Sequence, residues 1–81
     1  MAKYRKKPVV IEAIQWKGDN PHQVLYFMGT EHLDRKGDKL LIPTLEGTME
    51  AALHDWVIKG VKGEFYPCKP DIFEQTYELV E

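Results

Sequence analysis

The chain has 81 residues, of which 43% are hydrophobic, 30% charged and 11% aromatic, and 11 Lys and Arg against 13 Asp and Glu leave a net charge of −2. This length suits one core, since a second would need roughly 100 more residues, and the aromatic and aliphatic content excludes a disordered chain. The charge balance argues against a dedicated nucleic-acid binder, Cys68 alone excludes an intramolecular disulfide or a four-Cys zinc site, and no apolar run approaches the ~20 residues of a membrane span.

Lys3-Tyr4-Arg5-Lys6-Lys7 is a basic lead closed by Pro8, whose missing N–H suits the first residue of a strand. Val9 to Trp16 follows, rich in β-branched residues. At period two Val9, Ile11 and Ala13 share one face, and Val10, Glu12, Ile14 and Trp16 the other. Both faces are largely apolar, which predicts a central strand covered on both sides. Lys17-Gly18-Asp19 ends it. Asn20 then predicts a helix N-cap, with Pro21 in the first turn and Gln23 completing a capping box. Val24, Leu25, Phe27 and Met28 give that short helix an apolar face, and Gly29 a stop. Thr30 to Asp38 is a polar connection with a turn at Gly37-Asp38.

An antiparallel meander is predicted next. Lys39 to Leu45 forms a strand that Pro43 demotes to an edge or a bulge, and Thr48 to Ala52 returns after a turn at Glu46-Gly47. Leu53-His54-Asp55 turns again into Trp56 to Lys59, with Trp56 and Ile58 on one face. Gly60-Val61-Lys62-Gly63 is a hairpin turn leading to Glu64-Phe65-Tyr66. Pro67 to Pro70 reads as irregular, Asp71 as the cap of a single helical turn with Glu74, and Tyr77 to Val80 as a closing strand. Residues 1–81 therefore read as one small α+β domain: a mostly antiparallel sheet of about five strands with one packed helix and a helical turn near the C-terminus. So small a domain has a thin margin of stability, and self-association covering an edge strand would widen it. Trp16 and Trp56 are both expected at least partly in the main core, with Ile11, Ile14, Ile58 and Phe27.

Residue chemistry points away from catalysis. His22, His32, His54 and Cys68 stand at no zinc-ligand spacing, and no calcium loop is present, so neither a metal nor another cofactor is expected. Lys69 could lower the pKa of the neighbouring Cys68, but nothing fixes a base beside it, and a small inert thiol is the favoured reading. His54-Asp55 are adjacent in a turn and predict no dyad. Glu12 interrupts an apolar face; a rim glutamate paired to a lysine is favoured over a buried carboxylate. The strongest ligand candidate is the hairpin. Lys59, Lys62 and Lys69 surround it, with Trp56, Phe65 and Tyr66 nearby, and such a set could neutralise phosphate and stack a base. A plain turn with solvated lysines is preferred. Its Gly-x-x-Gly spacing matches that of KH domains, but there the motif joins two helices rather than two strands.

Two stretches carry a family resemblance. The run from Tyr4 to Trp16 (YRKKPVVIEAIQW) resembles the opening of small uncharacterised proteins of tailed phages and prophages. The run from Asp55 to Glu78 (DWVIKGVKGEFYPCKPDIFEQTYE) resembles their C-terminal signature. Where that family often has Pro-Gly-Asp before the tryptophan, this chain has Leu53-His54-Asp55, so the second match begins at Asp55. The resemblance implies a setting, the cytoplasm of an infected bacterium, and no catalytic residues. By analogy with that setting, the expected role is a non-enzymatic accessory protein that binds a host defence or regulatory protein. The alternatives are a sponge holding a signalling nucleotide through Lys59, Lys62, Lys69, Trp56 and Tyr66, or a structural or assembly component of the phage.

Overall fold

The computed structural model describes residues 1–3 and 9–80. The basic lead from Tyr4 to Lys7, Pro8 as a strand opener, and Glu81 lie outside the described residues. The elements in chain order are β1 (Glu12–Gln15), α1 (Pro21–Met28), β2 (Arg35–Lys36), β3 (Lys39–Thr44), β4 (Gly47–Ala51), β5 (Trp56–Lys59), β6 (Phe65–Cys68) and α2 (Pro70–Thr76). The fold is α+β, with all strand pairs antiparallel. The strands divide into two three-stranded sheets, ordered β1-β5-β6 and β2-β3-β4.

The first sheet has β5 at its centre, where Val57 and Ile58 point to opposite faces and both are buried. The central position predicted for the Val9–Trp16 strand is therefore corrected. β1 is an edge, shortened to four residues, and Val9 and Val10 are exposed. The apolar pattern identified two covered faces, but covering a face does not determine how many neighbours a strand has. β3 is likewise central in its sheet and unbulged, contrary to the expectation from Pro43. The reason is the length of β2, which pairs only with Lys39 and Leu40, so Pro43 lies beyond its end. Pro67 is tolerated in β6 because β6 is an edge. Two further expectations are corrected. Pro67 and Cys68 belong to β6 rather than to an irregular segment, and Tyr77 to Val80 form no strand.

The main core lies between one face of the first sheet, the second sheet and α1. It contains Trp16, Val24, Leu40, Ile42, Ala51 and Val57, with Ile14, Phe27, Met28, Leu33 and Phe65 packed around it. Trp16 is fully buried: its Nε1 donates to the Asp38 carbonyl at 2.8 Å, and the Arg35 guanidinium lies 5.4 Å from its ring centre. α1 ends at Gly29 in the left-handed conformation, as its sequence predicts. Its start differs. Asn20 makes no side-chain cap; its Oδ1 accepts from the Lys17 N–H, and its Nδ2 donates to the Gln15 carbonyl and to Gln23 Oε1. The side chain thus ties the helix entry back to the end of β1.

Candidate functional site

Register assigns the two faces of the first sheet. Glu12, Ile14, Val57, Lys59, Phe65 and Pro67 share the core face, while Ala13, Trp56, Ile58, Tyr66 and Cys68 share the other. That second face has its own aromatic cover. α2 lays Phe73 on Trp56 in a stacked pair, with centroids 4.2 Å apart and planes 7° from parallel, and Tyr77 tilts onto Phe73 at 5.1 Å. Trp56 is therefore half-buried under α2 rather than in the main core, and Ile58 lies on its side of the sheet. This corrects the expectation that both tryptophans share one core.

The five residues proposed from sequence as a ligand site do not converge. Lys59 is on the core face, across from Glu12 and Phe65, whereas Trp56 and Tyr66 are on the other. Lys62 is exposed at the hairpin tip. Lys69 lies at the opposite end of β5, where its Nζ donates to Asp55 Oδ2 at 3.0 Å. Four strand residues at ~3.3 Å each separate Asp55 from Lys59, about 13 Å, which is too far for one phosphate to bridge. Only Trp56 and Tyr66 of the set share a surface.

Asp55 is the one buried charged residue among those described. Its Oδ2 also accepts from the Ala52 N–H at 2.9 Å, closing a turn in which His54 takes φ +73° and donates its N–H to the Trp16 carbonyl. This latch is structural: it holds the end of β1 beside the start of β5. It also engages the cation that sequence placed next to Cys68. The Cys68 thiol is pushed up from its ordinary pKa by burial, then by the Asp55 and Asp71 carboxylates, the opposite of an activated nucleophile. Glu12 is exposed at the start of β1. His22, His32 and His54 are exposed as well, and among the described residues no three His, Cys, Asp or Glu side chains gather as a metal site.

The built surface is the second face. Between the 9–11 segment, α2 and the 77–80 segment run two adjoining grooves, of about 440 Å³ and 620 Å³, which share Val9, Val10, Ile11, Tyr77, Glu78 and Val80. Their rim exposes apolar side chains: Val10 is 76%, Leu79 86% and Val80 69% exposed. Each groove is lined by a residue that carries a buried polar atom with no partner among the described residues. In the smaller it is the Trp56 Nε1 donor, and in the larger a Glu64 carboxylate oxygen, Oε2. The Glu64 side chain folds down against Gly60, where any Cβ would collide with it. Beside it the Tyr66 phenol is pushed up to about 12, chiefly by burial and then by the Tyr77 phenol, with the Glu64 charge adding to the shift.

Sequence reasoning passed over Glu64, Phe73 and Tyr77. The signal for Glu64 was present, since period two places it with Tyr66 on the face of Trp56. Tyr77 reads from the sequence as part of a closing strand, whereas it follows α2 and packs on Phe73. No family model, curated protein or solved structure matches the chain.

Proposed function

We propose that this is a phage-encoded, non-enzymatic accessory protein that binds a host protein, a defence or regulatory factor, in the cytoplasm of the infected cell. The phage setting rests on the resemblance of the Tyr4–Trp16 and Asp55–Glu78 stretches. The observation that carries the binding is the second face of the first sheet, where Val10, Leu79 and Val80 stand exposed around the Trp56–Phe73 stack. Clustered exposed apolar side chains mark a surface suited to protein recognition. The unpartnered Trp56 N–H fits the same reading, because a polypeptide carbonyl is a suitable acceptor for it.

The test is native mass spectrometry of the protein purified from infected or prophage-carrying cells. A stoichiometric host protein, lost in the Val10→Asp/Leu79→Asp variant, is the expected result. A host protein that stays bound to that variant, a co-purifying nucleotide in its place, or incorporation into virions would each overturn the proposal.

A further inference from the structure

We infer that the larger groove is a site for a lysine or arginine side chain carried by a bound polypeptide, its charged head at Glu64 and its aliphatic stem along Val10 and Ile11. The inference deepens the protein-binding reading above and rests on it for the identity of the ligand's carrier.

Three observations point to that chemistry. The first is the carboxylate itself. A glutamate at the base of a hairpin would ordinarily extend into water, but Glu64 is folded over Gly60, and its Oε2 is buried without a partner among the described residues. A buried carboxylate oxygen left unmatched is costly, and a charge-assisted donor removes that cost. The second is the company it keeps. The Tyr66 and Tyr77 side chains line the same groove, Glu78 adds a second carboxylate, and no Lys, Arg or His is among its described lining residues. Carboxylates beside aromatic side chains favour a positive guest. The third is the remainder of the wall: Val9, Val10, Ile11 and Val61 form an apolar strip suited to the methylene stem of a long basic side chain.

The carrier is argued from the neighbouring groove. Trp56 pairs with Cys68, and Glu64 stands four residues before Cys68, so the two backbone positions lie about 13 Å apart along the strand direction. An extended peptide of about four residues spans that distance, presenting a carbonyl at one end and a basic side chain at the other. A free amine or a metal ion would satisfy only one of the two.

The test uses the purified full chain and amide chemical shifts, titrated with N-acetyl-arginine amide and with the neutral isostere N-acetyl-citrulline amide as control. Saturable shifts at Gly60, Glu64, Tyr66 and Tyr77 are expected with the arginine probe. They should be at least tenfold weaker with citrulline and absent in Glu64→Gln, whose wild-type spectrum elsewhere shows that it folds. Equal responses to the two probes, or binding unaffected by Glu64→Gln, would overturn the inference. So would arginine binding seen only when Lys3, Arg5, Lys6 and Lys7 are all changed to Gln, because the chain's own basic lead would then be the occupant. Success here with no host protein recovered from cells would overturn the functional proposal alone, and a host protein bound without arginine binding would overturn this one alone.

Discussion

The two tryptophans are chemically alike but differently placed, so truncating each to alanine should give unequal costs. Trp16 is fully buried, donates Nε1–H to the Asp38 carbonyl, stacks under Arg35 and joins both sheets and α1 through the main core. Trp→Ala in a packed core costs about 3–5 kcal/mol, and the lost hydrogen bond and cation–π contact place Trp16→Ala near the upper end, at ~5 kcal/mol. At roughly 0.05–0.15 kcal/mol per residue, a domain of this length has about 4–12 kcal/mol in total, so the variant should lose from about two-fifths to all of its stability at 25 °C. Trp56 is half-buried and packs mainly on Phe73 of α2, which itself buries no residue fully. Its truncation should cost about 2 kcal/mol, reflecting part of its area and the aromatic pair. Urea denaturation followed by far-ultraviolet circular dichroism measures both without relying on tryptophan fluorescence. A Trp56→Ala cost equal to or larger than that of Trp16→Ala would refute the division of the protein into a main core and a lighter second layer.

Gly60→Ala should displace Glu64 and destabilise by about 1–3 kcal/mol through overpacking. In a Glu64→Ala background the same change should be nearly neutral, a coupling that a double-mutant cycle reads directly. Lys69→Gln should lower stability by about 1–2 kcal/mol, because it leaves Asp55 buried without its cation, although the exposed lysine end limits the effect. Lys59→Gln and Lys62→Gln should stay within about 0.5 kcal/mol of wild type by the same denaturation assay. Cys68 should alkylate with iodoacetamide more slowly than a free thiol at the same pH, and an equal or faster rate would contradict its raised pKa. Tyr66 has a folded pKa of about 12 against an ordinary 10.0, so its contribution to stability is present below pH 10 and is lost as pH rises from 10 through 12. The fall in denaturation midpoint across that window should be shallower in Tyr66→Phe.

Local chemistry that acts within one turn was legible in the sequence. Gly29 ended α1, Gly63 took a positive φ in the hairpin, and the Trp56–Lys59 strand stood where its alternation placed it. Lateral order was not legible. Val9 to Trp16 has the same two apolar faces whether it lies at an edge or a centre, and only the pairing of β5 with both β1 and β6 decides the matter. The hairpin lysines are close in sequence, yet Lys59 and Trp56 on one four-residue strand point to opposite faces. The strand parity that would have separated them also unites Trp56, Tyr66 and Glu64. Phe73 and Tyr77 were out of reach because their place on that face depends on how a seven-residue helix folds back over it, a tertiary choice that no period records.

The unequal cover of the first sheet is what makes a binding role physically reasonable. β5 buries Val57 on one side and Ile58 on the other, so both faces need a layer. One receives α1 and a whole second sheet; the other receives only α2 and two extended segments, which leave Val10, Leu79 and Val80 in water. Burying those three would contribute about 1.5–3 kcal/mol each. Association itself costs an estimated 4–15 kcal/mol, and micromolar affinity requires about 8 kcal/mol net, so apolar burial on this patch cannot hold a partner alone. The remainder has to come from polar contacts that water cannot already supply. The Trp56 N–H and the Glu64 carboxylate oxygen meet that condition, since both are buried and unmatched among the described residues, and a charge-assisted bond at the latter is worth about 1.5–3 kcal/mol. Affinity on this face should therefore be at least as sensitive to Glu64→Gln as to the truncation of one rim side chain to a lesser part of its area, and a partner whose binding tolerates that change must be held somewhere else.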